Sequence, residues 1–197
     1  MTSFRLELSL YFGRIRAFNR VDWAVYIGWV GLMVAFVAAS GGFLAFGRAH
    51  GVRFPAEAYL LPAGAGLFAI AIAVDTIGHR TVYKEILREG EALVHHVIMV
   101  AGIGSSVLLC AAYPHRTGFA IPALVLTILS FAYSFVDEAM HWRRDLSHRS
   151  DVVEMWSHVL ILIGHGTMMA GWWAWYAGGY QGVAAALGAM AGANGHG

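Results

Sequence analysis

The 197-residue chain has few charged residues and one cysteine, and each shortage excludes a class of protein. Charged residues make up 13% of the chain and apolar residues 58%, a balance too apolar for a water-soluble domain of this size. We therefore expect an integral membrane protein. The single Cys110 excludes an intrachain disulfide. The net charge of +1 gives no information about nucleic acid, and no basic run interleaved with aromatic residues indicates it, so we expect no nucleic-acid partner.

Lysine and arginine are absent from the middle of five apolar stretches. A helix of about 20 apolar residues crosses a hydrocarbon layer of ~30 Å and satisfies its own backbone hydrogen bonds there. The sequence therefore predicts an all-α integral membrane protein with five transmembrane helices in a single membrane domain, residues 1–176. The predicted spans are residues 23–46, 59–78, 92–112, 119–140 and 153–176.

The basic residues are distributed unevenly between the two sides of these spans. Ten of the 13 lysines and arginines lie in the N-terminal segment, the loop after the second span or the loop after the fourth. The positive-inside rule then predicts a multi-pass protein of the plasma membrane with a cytoplasmic N-terminus and an outer C-terminus. Residues 1–20 lack the apolar core of a cleaved signal peptide and are predicted to lie on the membrane face. Residues 177–197, rich in glycine and alanine, are predicted to form a flexible tail.

An Asp-x-x-x-His pattern occurs twice, 62 residues apart, and a further histidine follows each copy after 17 residues. The repeat predicts that residues 59–112 and 119–176 are two copies of one two-helix hairpin. Two copies with the same direction of insertion are related by a pseudo-twofold axis along the membrane normal and together form a four-helix bundle. The repeated residues are Asp75, His79 and His96 in the first copy and Asp137, His141 and His158 in the second.

Acidic and histidine side chains from four spans converge at the predicted cytoplasmic side. Such groups are unfavourable in hydrocarbon unless a partner compensates them, and a bound metal is the simplest partner. Imidazole and carboxylate donors without sulfur suit copper, iron or zinc. We predict either a di-metal site or two separate metal centres. The candidate ligands are Asp75, His79, Glu91, His95, His96, Asp137, Glu138, His141, Glu154 and His158.

The same residues allow other interpretations. Aspartate and histidine on neighbouring helices can bond to one another without a metal. Histidines on facing helices, such as His96 or His95 with His158 or His165, could ligate the b-type haem of an electron-transfer subunit. Haem needs only histidines, however, and leaves the repeated carboxylates unexplained. Intramembrane acids and histidines also mark proton or metal-ion transport, and an accessory subunit of a larger complex is a further alternative.

The repeated pattern resembles a metal motif found in a membrane subunit of the particulate methane and ammonia monooxygenases. The resemblance covers residues 74–166. It implies copper-dependent oxidation of a small substrate by O2 within a hetero-oligomer. For an oxygenase in a lipid bilayer we expect a small apolar substrate and O2, with other membrane subunits or a second copy of the chain in a homo-oligomer as partners. Asp137 departs from the family, which has asparagine in the second set, and the glutamates have no counterpart there. The leading hypothesis is a membrane oxidoreductase that is oxygen-dependent and monooxygenase-like, or a subunit of one.

Overall fold

The computed structural model describes residues 2–82, 91–148 and 152–194, with side chains for residues 7–82, 92–143, 152–153 and 155–193. Most of these residues are helical and none of them forms a strand, which confirms the all-α prediction. A short 3-10 helix, Arg14–Ala17, follows the first α-helix. The α-helices of the described residues are α1 (Thr2–Gly13), α2 (Arg20–Ala49), α3 (Ala56–Thr81), α4 (Glu91–Ala111), α5 (Arg116–His148), α6 (Val152–Ala177) and α7 (Val183–Asn194).

Four of the helices, α2 to α5, are long and apolar enough to cross a membrane. The chain is therefore a multi-pass membrane protein by the length and composition of its helices, and its surroundings are a lipid bilayer. The fifth predicted span forms α6, which has 26 residues but carries His158 and His165 and is not one of these four. A fifth crossing and the orientation of the termini stay predictions.

The closest helix partners come from different copies of the sequence repeat. Helix α3 packs along α6, α4 packs along α5, and α2 covers α3, whereas the consecutive α5 and α6 touch at few points. This pairing differs from the expected hairpins, in which consecutive helices would be the main partners. It nevertheless follows the repeat, because α3 corresponds to α5 and α4 corresponds to α6. The α3–α6 and α5–α4 contacts are therefore equivalent.

Glycines allow α3 and α6 to approach each other closely. A Cβ atom on Gly64 would lie 2.7 Å from the carbonyl oxygen of Gly164, and one on Gly164 would lie 3.0 Å from that of Gly64. In the α4–α5 pair, a Cβ on Gly104 would lie 2.8 Å from a leucine methyl of α5. Gly166 differs, since nothing lies within 4 Å of its Cβ position. Close backbone packing of this kind is the main source of helix association in lipid.

The N-terminal segment is anchored at the end of the bundle where α3 ends. Asn19 caps α2 by accepting hydrogen bonds from the amides of Val21 and Asp22. The Asp22 side chain accepts from the Asn19 amide in return and also forms an ion pair with Arg80 of α3, whose Nε lies 2.8 Å from Oδ1. This partly buried pair joins the start of α2 to the end of α3.

Part of the predicted C-terminal tail is helical. Helix α7 covers Val183–Asn194 and packs on α2, with Ala186 buried. The turn before α7 uses Gly179 and Gly182, whose φ angles are 78° and 89°. Alanine has the highest helix propensity, and small side chains let α7 lie close to Gly47 of α2. The glycine- and alanine-rich composition that predicted a flexible tail is therefore also compatible with a helix that packs closely through small side chains.

Candidate metal centre

Two aspartate–histidine pairs project from α3 and α5 at one end of the bundle, which the basic residues predict to be cytoplasmic. On α3, Nε2 of His79 lies 3.4 Å from Oδ2 of Asp75, one helical turn earlier. On α5, Nε2 of His141 lies 3.6 Å from Oδ1 of Asp137. The i, i+4 spacing places both members of each pair on one face of their helix.

A histidine from the packed partner helix completes each pair. Nε2 of His158 on α6 lies 3.0 Å from Oδ1 of Asp75, and Nε2 of His95 on α4 lies 3.0 Å from Oδ1 of Asp137. The counterpart of His158 is therefore His95, 63 residues earlier, rather than His96, which the 62-residue repeat indicates. One more residue separates His141 from His158 than separates His79 from His95.

The four histidines and an aspartate provide two sets of three donor atoms from four helices. One set is His79, His141 and His158, and the other is His95, Asp137 and His141. Within each set all donor atoms lie within 4.8 Å of one another. Metal–nitrogen bonds of about 2.0–2.1 Å place two ligands of one ion roughly 3–4 Å apart. Small side-chain movements would thus bring either set onto an ion.

Several atoms of the cluster are buried without a hydrogen bond. Oδ1 of Asp75, Oδ1 of Asp137 and Nε2 of His158 make none with the described part of the chain. The 3.0 Å contacts of the two carboxylates with His158 and His95 are ion pairs only when the imidazole rings are protonated. Buried polar atoms without a hydrogen bond are unfavourable. A cation coordinated by these atoms would remove that penalty, so the donor set fits a metal ion.

Glu138 lies at the edge of the cluster. Its Oε2 atom is 3.8 Å from Nδ1 of His158, and its Oε1 atom accepts a hydrogen bond from the indole of Trp142 at 2.6 Å. The hydrogen bond from Trp142 thus fixes the position of the Glu138 carboxylate beside the cluster. A carboxylate in this position can approach a bound ion or accept a proton from His158.

The described structure does not place three other predicted ligands, His96, Glu91 and Glu154, in the cluster. His96 is exposed, and its Nδ1 atom contacts the carbonyl oxygen of Ala92 on its own helix. The side chains of Glu91 and Glu154 lie outside the described residues. Both glutamates occupy the helix turn before His95 or His158, so their role as ligands stays a prediction.

Tyr11 is a neighbour of the site that the repeated motif did not indicate. This fully buried side chain donates a hydrogen bond to the carbonyl of Val74 and accepts one from the amide of Gly78, both at 3.1 Å. Its hydroxyl therefore bridges the backbone on both sides of Asp75. The available signal was an apolar stripe at helical spacing. That stripe is Leu8, Tyr11, Ile15 and Phe18.

A cavity of about 650 Å³ extends from the cluster between α2, α3, α4, α5 and α6. Asp75, His95, Asp137 and His158 line one end, and the walls beyond them are mainly apolar. The opposite end reaches Cys110 on α4. The volume is typical of small-molecule sites, which are largely apolar with a few polar groups.

Comparisons of the chain with protein-family models, curated proteins and solved structures gave no match. The resemblance to the particulate monooxygenases therefore stays a prediction. The cluster and its cavity are the features from which a function can be inferred.

Proposed function

We propose that the chain is an integral membrane metalloprotein, an oxygen-dependent oxidoreductase or a subunit of one, whose metal site lies between α3, α4, α5 and α6. The observation that supports it is the convergence of two three-residue donor sets from four helices. Copper or iron suits the mixture of imidazole and carboxylate, and zinc is compatible with the same donors. When bound, copper or iron supplies the redox chemistry that side chains lack.

The chain's own residues have distinct tasks in this proposal. His79, His141 and His158 provide nitrogen donors, and His95 with Asp137 provides the second set. His141 belongs to both sets. The two sets therefore bind either one ion whose ligands can exchange or two neighbouring ions.

Asp75 contacts histidines of two helices. Its two carboxylate oxygens face His79 and His158, so it either joins the ligand set or orients both rings.

Histidine packing favours a small ion over haem. The four rings of the cluster lie between 3.8 and 6.3 Å from their neighbours, measured between ring centres. Aspartate oxygens lie 3.0 to 3.6 Å from the ring nitrogens. This crowding leaves no space for a planar macrocycle between two of the rings.

Elemental analysis of the purified protein, with optical and EPR spectra, tests the metal site. We expect a stoichiometric transition metal in wild type and its loss in His79→Ala and His141→Ala. His50→Ala is the matched control, because this exposed histidine caps α2 at the opposite end and bonds its own helix. A metal-free wild type, or variants that keep the wild-type metal content, would contradict the proposal.

Oxygen reactivity is tested separately on the same preparation. The metal is reduced chemically without air, and the optical spectrum is followed after O2 is added. We expect the oxidised spectrum to return in wild type. A reduced metal that is stable in O2 would leave the metal site standing and contradict the oxidoreductase assignment.

A further inference from the structure

We propose that the cavity between α2 and α4 binds a neutral, lipid-soluble molecule with a long apolar body and one hydroxyl group, which His165 holds by a hydrogen bond. The binding site follows from the cavity and His165 themselves. The further statement that this molecule is the substrate of the metal site rests on the proposed function.

The cavity forms where the two copies of the repeat differ. In α4 and α6, where His95 matches His158, the counterpart of His165 is Gly102. In α3 and α5, where Asp75 matches Asp137, the counterpart of Phe68 is Ser130. His165 and Phe68 fill the α3–α6 side, whereas the small Gly102 and Ser130 leave space on the α4–α5 side. All four residues line the cavity. The departure from symmetry therefore creates both the space and the polar group that faces it.

His165 is the group in this part of the cavity with unused hydrogen-bonding capacity. It is 4% exposed and lies between the parallel rings of Phe68 and Phe131, whose centres are 5.5 and 4.5 Å away. No hydrogen bond to its ring nitrogens is formed by the residues that the structure describes. A buried imidazole without a partner is unfavourable, and a ligand oxygen would satisfy it.

The hydroxyl groups around His165 are already engaged. Ser130 donates to the carbonyl of Ile98, Ser134 donates to that of Ser130, and Ser106 donates to that of Gly102. These bonds use the serine protons on the helix backbones, so the serines offer a ligand only acceptor oxygens, whereas His165 can also donate.

The charge of the walls favours a neutral ligand. Arg80 lines the cavity near the cluster, but its charge is balanced by the ion pair with Asp22, so the wall offers no uncompensated positive charge there to a fatty-acid carboxylate. A hydroxyl group both donates and accepts, so it pairs with His165 in either neutral tautomer of the ring. A long-chain alcohol meets both conditions.

The cavity reaches the lipid-facing surface between α2 and α4. Ile103 and Val107 line it and are 46% and 61% exposed, and Leu32 of α2 lines it and is 50% exposed. Helices α2 and α4 make no extended contact, within the described residues, that would close this side. A molecule dissolved in the bilayer can therefore enter sideways without crossing water.

The position of His165 determines which part of a bound ligand lies next to the cluster. His165 lies two turns from His158 on the same face of α6, about 10 Å along the helix axis. A chain held by its hydroxyl at His165 would present to the metal site a carbon at about that distance. If the proposed function is correct, the carbon that lies next to the metal site is at a fixed distance from the hydroxyl.

Photolabelling in lipid nanodiscs tests the binding site. The probe is a long-chain primary alcohol with a diazirine in mid-chain, and mass spectrometry maps the labelled peptides. We expect labels on the cavity faces of α2 and α4, competition by unlabelled 1-dodecanol, and little competition by dodecane. Labels spread over the lipid-facing surface, or equal competition by dodecane, would overturn the proposal.

Variants then assign the hydroxyl contact to His165. His165→Phe should reduce specific labelling by about tenfold, the effect of one lost hydrogen bond in a buried site. His165→Gln, which keeps a donor and an acceptor, should recover part of it, and Gly102→Leu should reduce it by filling the cavity. His50→Phe is the control and should label as wild type. Undiminished labelling of His165→Phe would contradict the proposal.

Metal content, measured in the same samples, separates the two proposals. Specific labelling in a protein that binds no metal would overturn the proposed function alone. Full metal content with non-specific labelling would overturn the alcohol site alone.

Discussion

Nε2 of His158 lies 3.0 Å from Oδ1 of Asp75, across the contact between α6 and α3. The same atoms of His95 and Asp137 lie at the same distance across the contact between α4 and α5. Two independent pairs with one geometry indicate that the repeat extends from the sequence to the packed bundle. The candidate metal centre is therefore formed where the two helix pairs meet.

The two aspartates should be equivalent in metal binding. Asp75→Asn and Asp137→Asn each remove a carboxylate that contacts two histidines, and we expect each to weaken metal affinity by about 10- to 100-fold. Competition with a chelator of known affinity measures the change. Glu57→Gln, in the first turn of α3 at the other end of the helix, is the matched control. Wild-type affinity in both asparagine variants would rule out a role for the aspartates.

His95 should be required for the metal site, and its neighbour His96 should not. The ring of His95 contacts Asp137, whereas His96 is exposed and bonds its own helix. His95→Ala should therefore lose metal or change its EPR spectrum, and His96→Ala should resemble wild type. The two variants control for each other because they differ by one position. Loss of metal in His96→Ala but not in His95→Ala would show that His96, the counterpart of His158 in the 62-residue repeat, is the ligand.

Four of the apolar helices and the convergence of the cluster were predictable, but the partners within the cluster were not. Apolar length predicts helices because lipid offers no other way to satisfy the backbone. The i, i+4 spacing predicts that Asp75 and His79 share a face. The choice of His95 over His96 depends on the lengths of the chain between paired helices, and the α3–α6 contact depends on Gly64 meeting Gly164. Neither is visible in hydropathy or in helical spacing.

Tyr11→Phe should destabilise the protein and perturb the metal site. The hydroxyl bridges the backbone of Val74 and Gly78, so its removal leaves two buried groups without that partner. We expect a loss of about 1–2 kcal/mol in stability, measured by thermal unfolding in detergent, together with a changed metal spectrum. Tyr113→Phe, at an exposed tyrosine, is the control. An unchanged spectrum would limit Tyr11 to a structural role.

Gly164→Ala should separate α3 from α6. The new Cβ would lie 2.6 Å from the backbone nitrogen of Phe68, which cannot move as a flexible side chain can. Because His158 and Asp75 meet across the same contact, we expect lower thermal stability together with weaker metal binding. Gly166→Ala is the matched control, since open space surrounds its Cβ position. Equal behaviour of the two variants would contradict the close contact seen here.

Removal of the metal should lower the stability of the folded protein. Without a cation, Oδ1 of Asp75 and Oδ1 of Asp137 are buried without hydrogen bonds. The two negatively charged carboxylates also lie close to the same histidine, His158. A ligand that binds only the folded state stabilises it by an amount that grows with its concentration above Kd. Dialysis against a chelator should therefore lower Tm, and returning the metal should restore it in proportion to occupancy. The double variant Asp75→Asn, Asp137→Asn should bind the metal more weakly, so its Tm should respond less to the chelator than that of wild type. An equal response of the double variant would mean that the aspartates do not contribute to the stabilisation by the metal.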